Sequence, residues 1–179
     1  MSVSYGNDES QQKSVAYMQQ CNQQFMKIGA IGVSVLFAAG DQGVLGRSGP
    51  GKVYHPDFPA ASPYVTAVGG TDFVTKGAIG PEKVWSAGGG GFSNTFPIPQ
   101  YQATAVAGYM KSAGTALLPP AAKWNSTGRA YPDVSALGGQ GTLLWRIMII
   151  HTHARARAHT HTSRISAGVG LLRLSSHLE

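Results

Sequence analysis

A single carboxyl group stands where a sheet would present it to a ligand. Asp41 lies in Gly40-Asp41-Gln42-Gly43, directly after the run Val33 to Ala39, which is apolar apart from Ser34. A run of that kind is too short for a helix and suits a strand buried on both faces of a parallel sheet. Asp41 then sits at the mouth of the sheet, and ligands of open α/β sheets bind in the crevice beyond the carboxyl ends of the strands. A carboxyl there accepts hydrogen bonds when ionised and donates one when protonated. The flanking glycines let the backbone turn sharply and leave room for a substrate to approach. The plainer use of the same residue is to hydrogen-bond its own turn, as Asp does after many strands.

Other residue types capable of chemistry are weaker signals. The glycine run in Trp85 to Phe92 suits a flexible loop or a backbone lying close to a ligand, but it lacks the Lys-Ser/Thr ending of a phosphate loop. Gly40, Gly43 and Gly46 do not have dinucleotide-fingerprint spacing. His55 is a lone loop histidine before Pro56, and Cys21 is the only cysteine, which excludes an intramolecular disulfide and reads as a core residue. Asn125-Ser126-Thr127 is a glycosylation acceptor for a chain that enters the secretory route. His151, His153, His159 and His161 could hold zinc or copper weakly, but no acidic or Cys partner completes a site. Their string, HTHARARAHTHT, reads as a translated alternating CA/CG repeat, which accounts for the arginines as well as the histidines.

The elements that position Asp41 follow from the rest of the chain. At 179 residues and 42% hydrophobic, the sequence is one domain's worth of chain with enough apolar content for a core, and its 24 Gly and 10 Pro predict many loops. Residues 1–140 carry nine Lys and Arg against seven Asp and Glu, while residues 141–179 carry five Arg against Glu179. The net charge of +6 therefore belongs mostly to the tail and is no nucleic-acid signal for the remainder. Ser2 to Tyr5 reads as the end of a strand, Asp8 with Gln11 as a helix cap and its partner, and Tyr17, Cys21, Phe25 and Ile28 as a helical stripe that Gly29 ends. Strand, helix and strand make a right-handed βαβ unit with Tyr5 and Asp41 at the same sheet edge. Arg47 to Pro63 is a surface loop. Tyr64 to Val68 is a further strand from which Gly69-Gly70-Thr71 turns away, and a short helix covers about Gln102 to Lys111. Leu117 to Arg129 reads as irregular, and Tyr131-Pro132-Asp133-Val134 closes the ordered part. No stretch has the length of a membrane span, and MSVSYG has neither part of a secretory leader.

Five of these segments occur together elsewhere. SVSYGNDE, LFAAGDQG, FPAASPYVTAVGGTDF, GGGFSNTFP and GRAYPDVSAL stand in this order at spacings that resemble the sedolisin family of serine-carboxyl peptidases, from Ser2 to about Leu137. The resemblance implies a subtilisin-like α/β fold, a parallel sheet flanked by helices, present here incompletely. It implies that Asp41 is the oxyanion-hole donor, giving a hydrogen bond to oxygen as charge develops in the tetrahedral intermediate. An ionised carboxylate only accepts, so Asp41 must be protonated for this, as an acidic compartment would allow. Ser4, Tyr5 and Gly6 match the strand against which a substrate is laid as an extra β-strand. Gly88 to Ser93 and the Tyr131 to Val134 turn match motifs of structural type, with Asp133 satisfying buried backbone donors.

The departures are equally definite. The family's Glu and Asp base pair precedes the SVSYG strand and its nucleophile lies in a GTSAS-type turn; neither occurs in these residues. The expectation is a partial catalytic domain over 1–140 and an unrelated low-complexity tail over 141–179, together inactive as a peptidase. A polypeptide that binds peptides or partners without cleaving them is the alternative. The resemblance implies peptide substrates cut to release tripeptides at acidic pH, with no nucleic acid and no membrane as partner. It implies a lysosomal or secreted setting, and no cofactor in this chain, the family's calcium site being C-terminal.

Overall fold

The computed structural model describes residues 1–138; the proposed tail, with its histidines, lies outside the described residues. In chain order the elements are β1 (Ser2–Val3), β2 (Asn7–Asp8), α1 (Val15–Ala30), β3 (Leu36–Ala38), β4 (Asp57–Phe58) and β5 (Thr66–Phe73). They continue with β6 (Glu82–Val84), β7 (Gly91–Pro97), α2 (Ala103–Leu117), β8 (Gly128–Tyr131) and β9 (Val134–Leu137). A five-stranded sheet runs β1-β3-β5-β6, with β9 also on β5; β1, β3, β5 and β9 pair in parallel and β6 is antiparallel. Two antiparallel ribbons, β2 with β4 and β7 with β8, complete the α/β arrangement.

Helix α1 starts later than the spacing of Asp8 and Gln11 suggests. Its cap is Ser14, whose Oγ accepts from the Tyr17 amide at 3.0 Å, while Glu9–Gln11 form only a short 3₁₀ turn. The Asp8 carboxylate is instead spent on a distant loop. One side of α1 faces inward: Met18 and Cys21 pack with Phe58 and Phe96 of the two ribbons, and Phe25 and Ile28 pack with Val35, Phe37 and Val65 at the sheet. Phe25 meets Phe37 of β3 edge-on with ring centroids 5.6 Å apart, so the helix fixes the central strand directly. Tyr17 falls off that stripe and is exposed.

Strand β5 runs straight through Gly69-Gly70-Thr71, where the sequence suggests a turn. The glycines serve close packing instead. A Cβ on Gly69 would lie 2.7 Å from Pro132, and one on Gly70 would lie 3.0 Å from the Trp85 ring. Helix α2 is interrupted at Gly114, whose φ is +59°, so its first segment, from Ala103, agrees with the expected helix over about Gln102 to Lys111; the stretch read as irregular contains a 3₁₀ turn and the start of β8.

Arg129 locks the C-terminal part of this fold. Its side chain is fully buried and donates to the carbonyl oxygens of Ser62 (3.1 Å), Val65 (3.2 Å) and Ala130, and to Asp133 Oδ2 at 2.6 Å. The same Asp133 oxygen accepts from the Ala67 amide of β5 at 2.7 Å. One ion pair thereby ties β5, β8 and the loop before β5 into a unit. A fully buried cation is tolerated because every direction it points in offers an acceptor.

Candidate active site

The parallel register brings the sequence-predicted residues together. Ser2 pairs with Leu36 and Val3 with Phe37, and beyond the two strand ends Gly6 and Gly40 both lie against the Asp57 carboxyl. Ser4 and Tyr5 are exposed at the carboxyl end of β1, and Asp41 is exposed at the carboxyl end of β3. Asn125 belongs to the other ribbon: its Nδ2 donates to the Ser93 carbonyl at 3.0 Å, and its Oδ1 accepts from the Thr127 amide and hydroxyl.

The Asp41 side chain does not hydrogen-bond its own turn. Among the described residues its carboxylate accepts no hydrogen bond, and only its amide is engaged, with Gln42 Oε1 at 3.3 Å. The turn is shaped by backbone from elsewhere: the Gly89 amide donates to the Gly40 carbonyl at 2.7 Å and the Gly43 amide to the Ala87 carbonyl at 3.3 Å. Gly40 needs its freedom, since its φ is +94°. The glycine run therefore approaches the end of β3 closely. A Cβ on Gly89 would stand 2.0 Å from the Ala39 carbonyl oxygen.

Near this edge lie three buried carboxyls, Asp8 and Asp57 on the small β2–β4 ribbon and Glu9 on the 3₁₀ turn that follows β2. Asp8 accepts from the amides of Arg47 (2.8 Å) and Ser48 (2.7 Å) and from the Ser48 hydroxyl (2.6 Å), pinning the loop that follows the Asp41 turn. Burial acts to raise the Asp8 carboxyl, but those three hydrogen bonds and the nearby His55 outweigh it and hold the carboxyl below the usual range. Glu9 accepts from Ser93 Oγ, the Asn94 amide (2.9 Å) and Thr95 Oγ1 (3.1 Å). Burial prevails there and pushes Glu9 above the usual range, against those donors.

The third carboxyl, Asp57, is the residue that sequence reasoning missed. It lies between the two glycines of the edge: a Cβ on Gly6 would be 2.5 Å from Asp57 Oδ1, and one on Gly40 3.0 Å from Oδ2. Its amide donates to the Tyr131 hydroxyl at 2.7 Å, and its Oδ1 has no hydrogen-bond partner among the described residues. Burial pushes its carboxyl up to about 6; Arg47 and the Phe58 amide oppose this, and Asp8 and Asp41 add to it. The available signal was an Asp set between Pro56 and Pro59 ahead of an apolar stretch. Tyr131, wholly buried, is pushed far above the usual phenol range.

Among the described residues no group of three or more His, Cys, Asp and Glu is placed to hold a metal ion. Among the same residues no helix is long and apolar enough to cross a membrane.

No family model matches the chain. Over 136 residues it is 51% identical to tripeptidyl-peptidase 1 of Mus musculus and 49% identical to that of Homo sapiens, in each case 75% of this chain and 24% of the relative. The chain thus spans about a quarter of the length of the curated relatives it matches. A solved structure of Pseudomonas sedolisin (serine-carboxyl proteinase), complexed with two molecules of pseudo-iodotyrostatin, superposes with a TM-score of 0.59 and 32% sequence identity. That match covers 79% of this chain and 38% of the sedolisin chain. Over about three quarters of its length, then, the chain is similar in sequence and in α/β fold to the sedolisin family of serine-carboxyl peptidases.

Proposed function

We propose that residues 1–140 are part of a catalytic domain of tripeptidyl-peptidase type, working on peptides with free N-termini in an acidic, lysosomal or secreted setting. Ser4, Tyr5 and Gly6 receive the substrate as an added β-strand, with backbone pairing for affinity and neighbouring pockets for selectivity. Asp41, carrying a proton, donates to the carbonyl oxygen as it gains charge. The observation that carries this reading is the position of Asp41: exposed, with a carboxylate its own turn does not use, just past the carboxyl end of β3, the parallel neighbour of β1. Asn125 is the glycan acceptor on the same reading.

Within the 179 residues there is neither a GTSAS-type serine turn nor a Glu-x-x-x-Asp segment. Without nucleophile and base, oxyanion stabilisation and binding supply only a minor part of the rate enhancement. Residues 1–179 by themselves are therefore a peptide- or partner-binding polypeptide. Incubated at acidic pH with a peptide bearing a free N-terminus, the chain should retain that peptide on a resin while mass spectrometry finds it intact. Release of a tripeptide would overturn the assignment of the catalytic groups, and failure to retain any peptide would overturn the substrate strand.

A further inference from the structure

Asp57 touches both halves of the proposed site and belongs to neither. Its two carboxyl oxygens lie against Gly6 and Gly40, the residues that end the substrate strand and open the Asp41 turn. Both neighbours are glycine, and a methyl group on Gly6 would run into the carboxyl oxygen and the Phe58 carbonyl alike. The carboxyl is thus closely flanked on two sides. Its backbone is fixed from below by the Tyr131 hydroxyl.

An ionised group in that place is poorly provided for. Oδ1 has no donor among the described residues, and burial denies it water. The charges facing it are Asp41 from the turn, Asp8 from β2 and Arg47 from the following loop. Arg47 is the sole favourable one, and its guanidinium lies over the exposed Tyr5 ring, 5.3 Å from the centroid. Tyr131 faces it from β8 as a neutral phenol. Against burial and two like charges, one opposite charge and the Phe58 amide do not compensate a buried carboxylate.

We propose that Asp57 is a positioning residue that holds the Ser4 to Gly6 edge against the Asp41 turn when protonated and loosens the two when it ionises. The idea rests on the proposed function for its consequence, since it would assemble the peptide site only in acid. The sign follows from linkage. A carboxyl whose closed-state value is raised to about 6 stabilises the closed form below its ordinary range, and that contribution is lost as pH rises through 6. Asp8, held low, works in the opposite sense and at more acidic pH, so it does not mask the change.

Amide hydrogen exchange of the full chain, corrected for intrinsic rates, tests this. Protection of the Gly43 and Gly89 amides, whose hydrogen bonds hold the Asp41 turn, should fall about tenfold between about pH 5 and about pH 7, while amides of α1 stay level. Asp57→Asn, the same shape without a charge to gain, should keep the protected state throughout. No step in the native chain, or an unchanged step in Asp57→Asn, would overturn the proposal. Should that variant not fold, the carboxyl carbon of Asp57 in the native chain decides: its titration midpoint must coincide with the exchange step, and a separation of more than about one pH unit overturns the coupling. A step present in a chain that retains no peptide would leave the coupling standing and remove the substrate-strand reading.

Discussion

Arg129→Met should lower the free energy of unfolding by about 3–5 kcal/mol, the cost of removing one partner from a buried ion pair. Methionine fills much of the same volume, so the loss is chiefly electrostatic rather than a cavity. The guanidinium is fully buried and serves three carbonyl oxygens and the Asp133 carboxylate. Without it, Asp133 keeps its donors at Ala67 and Gln102 but loses its counter-charge, and the Ser62 and Val65 carbonyls lose the donors that Arg129 supplies. Urea unfolding followed by tryptophan fluorescence reads the change. The double variant Arg129→Met, Asp133→Asn should cost less than the sum of the single ones, because no uncompensated charge remains. Strict additivity would mean that the pair matters only as packing.

Gly89→Ala should destabilise by about 3 kcal/mol and damage the proposed site in the same stroke. The added methyl would stand 2.0 Å from the Ala39 carbonyl oxygen and 2.8 Å from the carbonyl carbons of Ala39 and Gly40. These are backbone atoms directly after β3, so no side chain can swing aside. Relief requires the Asp41 turn to move, breaking the 2.7 Å hydrogen bond from the Gly89 amide to the Gly40 carbonyl. Gly80→Ala is the control: Gly80 is exposed with nothing within 4 Å of the added atom, and its change should stay within about 0.5 kcal/mol. Equal effects at the two positions would show that Gly89 does not support the turn.

The parts of this fold visible in sequence are those set by local pattern. The apolar run into Gly40 announces a buried strand, and the stripe through Cys21, Phe25 and Ile28 announces the helix that covers it. Together they imply the parallel β1–β3 edge, and five colinear segments then name the family. What escaped notice depends on contacts between distant residues. Asp8 and Gln11 have the spacing of a capping pair, yet Asp8 turns to Arg47 and Ser48, because its buried carboxyl needs the donors that loop offers. Gly69 and Gly70 look like a turn in isolation, whereas Pro132 and Trp85 require them inside a strand. Asp57 looks like an ordinary loop acid until the sheet edge closes around it. Burial of a carboxyl is a property of the packed molecule, and no local pattern encodes it.

Amide chemical shifts of the isotope-labelled chain, titrated at acidic pH with a short peptide bearing a free N-terminus, test the central claim most directly. The account predicts that the perturbed amides cluster on Ser4, Tyr5, Gly6 and Gly40 to Gly43, the two sides of the β1–β3 edge. Shifts confined to α2 or the β7–β8 ribbon, with that edge unmoved at saturation, would contradict it.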